Sequence, residues 1–308
     1  MGTYKVGDTN PYIKNIQRAL NEKLGPNSGT TLPGKAYLKP DGGFGPKTRD
    51  ALVAYQLSIG LPGSGIYDLT TSNVLDPFIQ KRYLNEQDYI NAANALGCEV
   101  AMVKAVTEVE SGDAGFFDGG KTKILFERHV FRQQLLKLMK ASTITAVDIA
   151  KKIGVAATGP TGIQIDVIDK ALQTKYPDLY NTSTGGYIGG VAEYDRLGRA
   201  KSLNDSCATQ ACSWGMFQIM GYHFALLKFA NVNDMVHAFD VSEGAQLQGF
   251  VNFILADQRL LKAIRARDYL AFALAYNGPA QQGYDVRIKD AYAKWSMRSI
   301  MINPTMRN

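Results

Sequence analysis

Glu99–Gly112, which reads EVAMVKAVTEVESG, is the most informative segment in the larger part of this chain. Its apolar residues recur at the three-, four- and seven-residue spacing of one face of an α-helix. Counting back from Glu110 by these steps reaches Thr107, Val106 and Val103. Since these positions share one face, Glu110 is predicted to lie on the core side of the helix.

The second glutamate of this helix, Glu108, has different neighbours. The same steps lead back to Ala105, Lys104 and Ala101, so a lysine lies one turn away. Pairs at this spacing are typical of an exposed helix surface. Glu108 is therefore predicted to face solvent and to have a structural role.

The predicted position of Glu110 has a chemical consequence. A carboxyl packed against apolar side chains at a helix C-terminus is desolvated and lies near the negative end of the helix dipole, and both effects raise its pKa. Such a group is suited to protonate a leaving sugar oxygen in glycoside hydrolysis. The alternative is an ordinary ion pair of Glu110 with Arg128 or Arg132.

Helical patterns continue on both sides of this stretch. Asn85 and Asp88 form a helix cap, and further helices are predicted over 99–111, 131–152, 164–173, 190–203, 214–229, 241–256, 259–276 and 284–297. The glycine- and threonine-rich interval 112–126 is compatible with a small β-hairpin. The larger part of the chain is therefore predicted to be mainly α.

The N-terminal part predicts a small three-helix bundle. Asn10 followed by Pro11 has the form of a helix start, a second helix follows Thr48, and a third runs from Thr70 to Pro77. Boundaries at 1–80 and 85–308 are expected for two domains.

Two turns of the bundle resemble each other. DGGFGPKT (41–48) and GSGIYDLT (63–70) both place a glycine turn and an apolar residue before a helix, which indicates a duplicated half-motif. Phe44, Tyr55 and Ile66 are predicted to be core residues.

Composition excludes several classes of protein. The 308 residues are 45% hydrophobic and 20% charged, which is ordinary for globular domains and not for a disordered chain. The net charge of +6 is spread along the chain, with eight basic and six acidic residues in 1–80, so nucleic acid is not an expected partner. No segment resembles a signal peptide or a membrane span, so no membrane insertion is expected.

Metal and thiol chemistry are disfavoured. The three cysteines are too few for a disulfide framework or a four-cysteine zinc site, and the three histidines lack metal-binding spacing. Cys98 with His129 is a conceivable nucleophilic pair, but a lone cysteine beside an apolar helix is usually a small core residue. No cofactor or metal is expected.

The N-terminal pattern resembles a known family. The IQRAL helix, the DGGFGPKT turn, the ALVAYQLSIGL helix and the GSGIYDLT turn are similar to type 1 peptidoglycan-binding domains over residues 4–78. The resemblance implies docking onto cell-wall glycan and stem peptides, with bacterial peptidoglycan as the partner.

The larger part carries three motifs in the order found in the lysozyme-like superfamily: EVESG at 108–112 within its helix, SWGMFQIMG at 213–221 and YNGP at 276–279. With ILFERHVF at 124–131, the region most closely resembles the N-acetylmuramidase domain of modular bacteriophage endolysins. This implies cleavage of the β-1,4 bond between N-acetylmuramic acid and N-acetylglucosamine. It further implies that Glu110 is the general acid, and that Gln218, Tyr276 and Asn277 line the substrate cleft. Trp214, Phe217 and Ile219 are expected in the core.

A second catalytic carboxylate is less sharply defined. Glu127 lies in ILFERHVF, where it is predicted to face Glu110 across the cleft as a nucleophile or a base. An ion pair of Glu127 with Arg128, Arg132 or His129 is the alternative. Asp118, Glu193 and Asp285 are further candidates.

Other functions remain open at this point. A lytic transglycosylase, which forms 1,6-anhydromuramic acid ends, shares the three motifs, and a non-catalytic wall-binding protein shares the N-terminal domain. For an endolysin we expect a monomer that accumulates in the host cytoplasm, and that reaches the periplasm and cell wall after a membrane lesion.

Overall fold

The computed structural model describes residues 2–28, 36–111, 114–156, 158–159, 162–279 and 282–302. Helices dominate it, which confirms the mainly α prediction. In the N-terminal part the helices are α1 (Pro11–Leu24), α2 (Pro46–Ser58) and α3 (Leu69–Arg82).

The remaining helices follow in chain order. They are α4 (Glu86–Leu96), α5 (Val100–Ser111), α6 (Arg128–Ala141), α7 (Thr143–Ile153), α8 (Ile165–Lys175), α9 (Glu193–Leu203), α10 (Asp205–Gln210), α11 (Val232–Val241), α12 (Glu243–Ala256), α13 (Gln258–Ala266), α14 (Tyr269–Asn277) and α15 (Tyr284–Ile302). Short 3-10 turns cover Gly25–Asn27, Gly190–Ala192 and Gly221–His223. No helix in the described ranges is long and apolar enough to cross a bilayer.

The described residues also contain five short strands. β1 (Ile124–Phe126), β4 (Cys212–Trp214) and β5 (Ile219–Met220) form an antiparallel sheet in the order β1-β4-β5, with Ile124 opposite Trp214 and Trp214 opposite Ile219. β2 (Thr158–Gly159) pairs with β3 (Gly162–Ile163). Within the described part of the predicted hairpin interval, an antiparallel bridge pairs Phe116 with Thr122, so a minimal hairpin is present there. β1 follows it and joins a sheet whose other two strands, from SWGMFQIMG and the residue before it, form a second hairpin.

This hairpin corrects the prediction of a helix over 214–229. Gly215 and Gln218 adopt left-handed φ angles of 72° and 46°, which end any helix and allow the tight turn. Two other predicted helices are divided. Ser142 caps α7 within 131–152, and the left-handed Arg267 separates α13 from α14 within 259–276.

The predicted starts of the bundle helices are partly confirmed. Asn10 caps α1 through Tyr12 N at 2.8 Å, with Pro11 in the first turn. However, α2 begins at Pro46, two residues before Thr48, and α3 begins after its cap Asp68. Pro77 lies inside α3 and does not end it, since Leu75 and Ile79 hold both sides of the proline in the bundle core.

Two buried glutamines show the duplicated half-motif directly. Gln17 in α1 accepts a hydrogen bond from Gly42 N at 3.0 Å and donates to Gly43 O and Thr48 Oγ1 at 2.9 and 3.1 Å. Gln56 in α2 makes the equivalent bonds to Gly65 N, Ile66 O and Thr71 Oγ1 at 2.9, 3.0 and 2.9 Å.

These bonds shift the alignment of the two turns by one residue, to 41–48 against 64–71. In this register Tyr67, and not Ile66, is the equivalent of Phe44. Phe44 and Tyr55 are buried as predicted, and so is Tyr67 at 1% exposure. The core prediction for Ile66 was wrong, because that residue is 38% exposed.

The bundle and the larger helical part have separate hydrophobic cores, and a loop of the larger part packs into the core of the bundle. Phe116, from the loop that follows α5, packs into the bundle core at 4% exposure. The guanidinium of Arg82 lies 3.6 Å from the centre of its ring and pairs with Glu22 at 3.0 Å. The loop after α5 is therefore held by the bundle.

A buried carboxylate strengthens this junction. Glu243, at the start of α12, is 1% exposed and pairs with Arg18 of α1. It also accepts hydrogen bonds from Leu84 N at 3.2 Å and Gly115 N at 2.8 Å. Beside it lies a cavity of about 670 Å³, lined by residues of both parts that include Lys14 and Lys123.

Candidate active site

Glu110 lies in the last turn of α5, a helix that packs against α4 and α15. Val103, Val106 and Thr107 are buried, which confirms the predicted apolar stripe beneath Glu110. Glu110 itself is partly buried. Its carboxyl is thus held at the negative end of a helix and against apolar side chains, as the pattern predicted.

Burial is the main influence on Glu110, and it raises the pKa of the carboxyl. Three groups oppose this shift by favouring the ionised form: the Tyr284 hydroxyl, a hydrogen bond from the Asn277 side chain, and the positive charge of Arg287. The buried Tyr284 hydroxyl lies beside the carboxyl without a hydrogen bond of regular geometry. The net shift is upward, which favours a protonated group.

The ion pairs weighed for Glu110 do not form. Arg128 donates instead to the carbonyls of Pro177, Ser183 and Thr184. Arg132 pairs with Asp169 at 2.8 Å. The positive charge that acts on the pKa of Glu110 is that of Arg287 in α15.

The prediction that Glu108 faces solvent is confirmed only in part, because 27% of its side chain is exposed. α15 packs along α5, and Glu108 accepts hydrogen bonds from Lys294 and from the Trp295 indole, both at 2.8 Å. Lys104 pairs with Glu86 at 2.6 Å instead. Glu108 therefore fastens α15 to α5, which is a structural role.

Tyr276 connects the hairpin to the neighbours of Glu110. Its ring stacks between Phe272 and Tyr284, with centroid distances of 5.7 and 6.3 Å. Its hydroxyl donates to the backbone oxygen of Phe217 at 3.3 Å. Burial and the nearby Glu110 raise the pKa of Tyr276 well above its usual value, so it remains a neutral donor.

Gln218 lies at the tip of the hairpin, in the left-handed conformation. Its side-chain oxygen accepts from Ser213 Oγ at 2.8 Å, and its amide nitrogen donates to Gly215 O at 2.8 Å. Gln218 is nevertheless exposed. Its polar atoms therefore hold the turn in shape, and contact with substrate stays a prediction.

The apolar residues of the same motif are in the core, as predicted. Trp214, Phe217 and Ile219 are 2%, 3% and 4% exposed. Phe217 stacks on Phe250 of α12 at 4.1 Å between centroids. The hairpin is thus anchored from below while its polar tip faces outward.

Glu127 directly follows β1, and its backbone N–H donates to Ala211 O at 2.9 Å. Its two carboxylate oxygens accept from the Tyr187 hydroxyl at 2.9 and 2.8 Å. Nδ1 of His129 lies 3.3 Å from Oε2, without a regular hydrogen bond. Of the three ion pairs weighed for Glu127, only the one with His129 is therefore close enough to form.

The remaining acidic candidates have other surroundings. Glu193 is fully buried and paired with Arg196 at 2.8 Å. Although burial raises the pKa of Glu193, hydrogen bonds from Gly189, Ile188 and Phe126 and the Arg196 contact lower it overall. Asp118 is exposed, and Asp285 lies in the first turn of α15.

Sequence reasoning missed Tyr284, Arg287 and Tyr187. The first two lie one turn apart at the start of α15, close after the YNGP motif, so helical spacing was a usable signal for them. Tyr187 comes from a loop far along the chain from Glu127, and no spacing rule connects the two residues.

Metal ligands are not clustered in the described part of the chain: no group of three or more His, Cys, Asp or Glu side chains there is arranged to hold an ion. Burial, followed by the charge of Glu99, raises the pKa of the Cys98 thiol to about 11, which makes it a poor nucleophile near neutral pH.

Comparison with known proteins finds two matching families and a similar solved structure. Residues 99–296 match the N-acetylmuramidase family and residues 9–75 match a putative peptidoglycan-binding domain. The crystal structure of the Burkholderia AP3 phage endolysin is 35% identical, covering 97% of this chain and all of that one, with a TM-score of 0.58. No curated protein matched the chain. The chain is therefore a glycoside hydrolase of the N-acetylmuramidase family, a peptidoglycan hydrolase with an N-terminal peptidoglycan-binding domain in the modular order of endolysins.

Proposed function

We propose that the protein hydrolyses the β-1,4 bond between N-acetylmuramic acid and N-acetylglucosamine, with Glu110 as the general acid. The observation that carries the proposal is the raised pKa of Glu110, caused by burial at the end of α5 in the region that matches the N-acetylmuramidase family. A protonated carboxyl can donate to the glycosidic oxygen as positive charge develops on the sugar ring.

The neighbours of Glu110 suit this role. The Asn277 amide orients the carboxyl through a hydrogen bond, and Tyr276 precedes Asn277 at the end of α14. Asn277 and Gln218 are both exposed, so a sugar in the cleft can reach their side chains even though Gln218 also holds the hairpin turn and Asn277 also bonds to Glu110. Tyr276 acts mainly by positioning, since its hydroxyl is bonded to Phe217.

We further propose that Glu127 is the second carboxylate. It is 15% exposed in its side chain and is oriented by Tyr187, whose hydroxyl bonds to both oxygens. A carboxylate held in this way can activate water or stabilise the charged sugar.

The two domains divide the work in this proposal: residues 1–80 would bind the wall and residues 85–308 would cleave it.

Analysis of the products tests the reaction. Digestion of sacculi in ¹⁸O-labelled water is expected to give reducing muramic acid ends that carry one labelled oxygen. Release of unlabelled 1,6-anhydromuramic acid ends would show that the muramic acid's own hydroxyl is the nucleophile, and the hydrolytic proposal would be wrong.

Replacing the second carboxylate gives a separate prediction. Glu127→Gln is expected to lower turnover at least about tenfold, because the amide cannot take a proton from water or carry the stabilising charge. The rate of reducing-end release on sacculi measures this. Asp195→Asn, which changes an exposed acid of α9 outside the proposed site, is the matched control, and wild-type rates in both variants would exclude Glu127.

The pH profile tests the environment of Glu110. Activity that needs the protonated acid falls as pH rises through the pKa of Glu110. Since Arg287 favours the ionised form, Arg287→Gln is expected to raise this pKa further and move the alkaline limb of kcat/KM to higher pH. Lys289→Gln removes an exposed charge from the same helix and is expected to leave the limb in place. A shift to lower pH in Arg287→Gln would contradict the assignment.

The biological setting follows from the match to a phage endolysin. We propose that the protein is a monomer that acts on the bacterial wall after a membrane lesion gives it access from the host cytoplasm. Neither nucleic acid nor a membrane is a proposed partner.

A further inference from the structure

The peptidoglycan-binding bundle contains a cavity that the catalytic site does not use. It has a volume of about 330 Å³ and is lined by Gly2, Tyr4, Tyr12, Tyr67, Asp76 and Gln80. This tyrosine–aspartate cavity lies where the N-terminal segment meets α1 and α3. Its volume is in the range of small-ligand pockets.

One carboxyl group dominates the chemistry of the cavity. Asp76 in α3 is 2% exposed, and its Oδ1 accepts hydrogen bonds from the hydroxyls of both Tyr12 and Tyr67. Its Oδ2 is also buried, and it has no hydrogen-bond partner among the described residues. Buried polar atoms are normally paired, so a carboxylate oxygen left over in a cavity wall points to a donor from outside.

Like the Asp76 carboxylate, the tyrosine rings attract positive charge. Tyr4 lies 6.3 Å from Tyr12 and 6.2 Å from Tyr67 between ring centroids, with the planes tilted by 32° and 39°. Burial raises the pKa of Tyr12 and Tyr67, which keeps their hydroxyls protonated as donors to Asp76. The electron-rich faces of aromatic rings attract cations.

A carboxylate oxygen and several aromatic rings together favour one type of ligand, an alkylammonium group. Its N–H bonds would satisfy Asp76 Oδ2, its charge would be stabilised by the rings, and its alkyl chain would fill the apolar remainder of the cavity. A neutral N-acetyl sugar offers no such charge. Within the peptidoglycan proposed above as substrate, free ammonium groups are found on the diamino acid of uncrosslinked stem peptides.

We propose that the tyrosine–aspartate cavity binds the free side-chain amine of the diamino acid in uncrosslinked stem peptides. The proposal rests on the proposed function, since it assumes that the wall is the ligand. It assigns to the bundle a preference for uncrosslinked regions, where this amine is not part of an amide bond.

The test is calorimetric titration of the full chain with a soluble stem tetrapeptide, compared with the same peptide acetylated on the side-chain amine. Wild-type protein is expected to bind the free amine at least tenfold more tightly. Asp76→Asn is expected to lose this discrimination. Asp50→Asn, which removes one exposed acid from α2 of the same bundle, is expected to keep it. A tag, if needed, is placed at the C-terminus to leave Gly2 unchanged.

Equal affinity of the wild-type protein for the two peptides would overturn the proposal, and this result needs no variant to fold. Full discrimination in a folded Asp76→Asn protein would also overturn it. Because binding is measured without turnover, the result is independent of the catalytic assignment. Discrimination by a protein that releases no reducing ends would support the amine site and overturn the proposed hydrolysis.

Discussion

Glu110→Gln is expected to lower the turnover of peptidoglycan by at least about 100-fold, the lower end of the contribution of a general acid. Glutamine has nearly the same shape as protonated glutamic acid, and it keeps a polar contact to Asn277. It has no proton to transfer, so the leaving sugar would depart as an unstabilised alkoxide. The rate of reducing-end release on purified sacculi measures the effect.

Two controls make this result specific. Sacculus binding and the thermal midpoint of Glu110→Gln are expected to match the wild type, since the substitution leaves the bundle and the core intact. Glu108→Gln, on the same helix, is expected to keep most of its turnover because the hydrogen bonds of Glu108 go to Lys294 and Trp295 of α15 and have no part in the proposed proton transfer. Retained activity in Glu110→Gln would mean that another residue is the acid, or that the protein acts only by binding.

Glu243→Gln is expected to destabilise the protein by about 3 to 5 kcal/mol, the cost of leaving a buried charge without its partner. Arg18 would lose the counter-charge that offsets its burial and raises its pKa. For a chain of this size, such a loss lowers the thermal midpoint by roughly 5 to 8 °C. Differential scanning calorimetry measures it.

A substitution in an exposed ion pair and a double substitution in the buried pair test the same reasoning. Asp205→Asn breaks the exposed pair with Lys201, which joins positions four apart on the chain, and is expected to cost no more than about 0.5 kcal/mol. Adding Arg18→Met to Glu243→Gln is expected to recover part of the loss, since no buried charge then remains unpaired. A loss below about 1 kcal/mol in Glu243→Gln would show that water reaches Arg18 at the junction.

The junction also matters for the active site. Glu243 binds Gly115 N, and Phe116 lies in the core of the bundle, so both hold the loop that follows Glu110. The bundle thus helps to hold the loop that follows α5, in addition to carrying the match to a peptidoglycan-binding domain.

Local patterns predicted the helical parts well. Helix caps such as Asn10 and Asn85, and the apolar stripe of α5, depend on residues within a few positions of each other. The position of Glu110 at the core side of a helix end followed from the same spacing. Errors arose where one-dimensional patterns are ambiguous. Short apolar stretches such as SWGMFQIMG fit a helix or a strand, and only pairing with β1 decides between them.

The mainly α fold, the three-helix bundle and the chemical character of Glu110 could be predicted from the sequence, because each depends on periodicity and on neighbours close in the chain. The groups that surround that carboxyl and the contacts that join the two parts become visible only in the folded molecule. Tyr284 and Arg287 reach Glu110 from α15, Tyr187 reaches Glu127 across a loop, and Arg18 meets Glu243 between the cores. These contacts join residues far apart in the chain, and their energies depend on burial that no local pattern specifies.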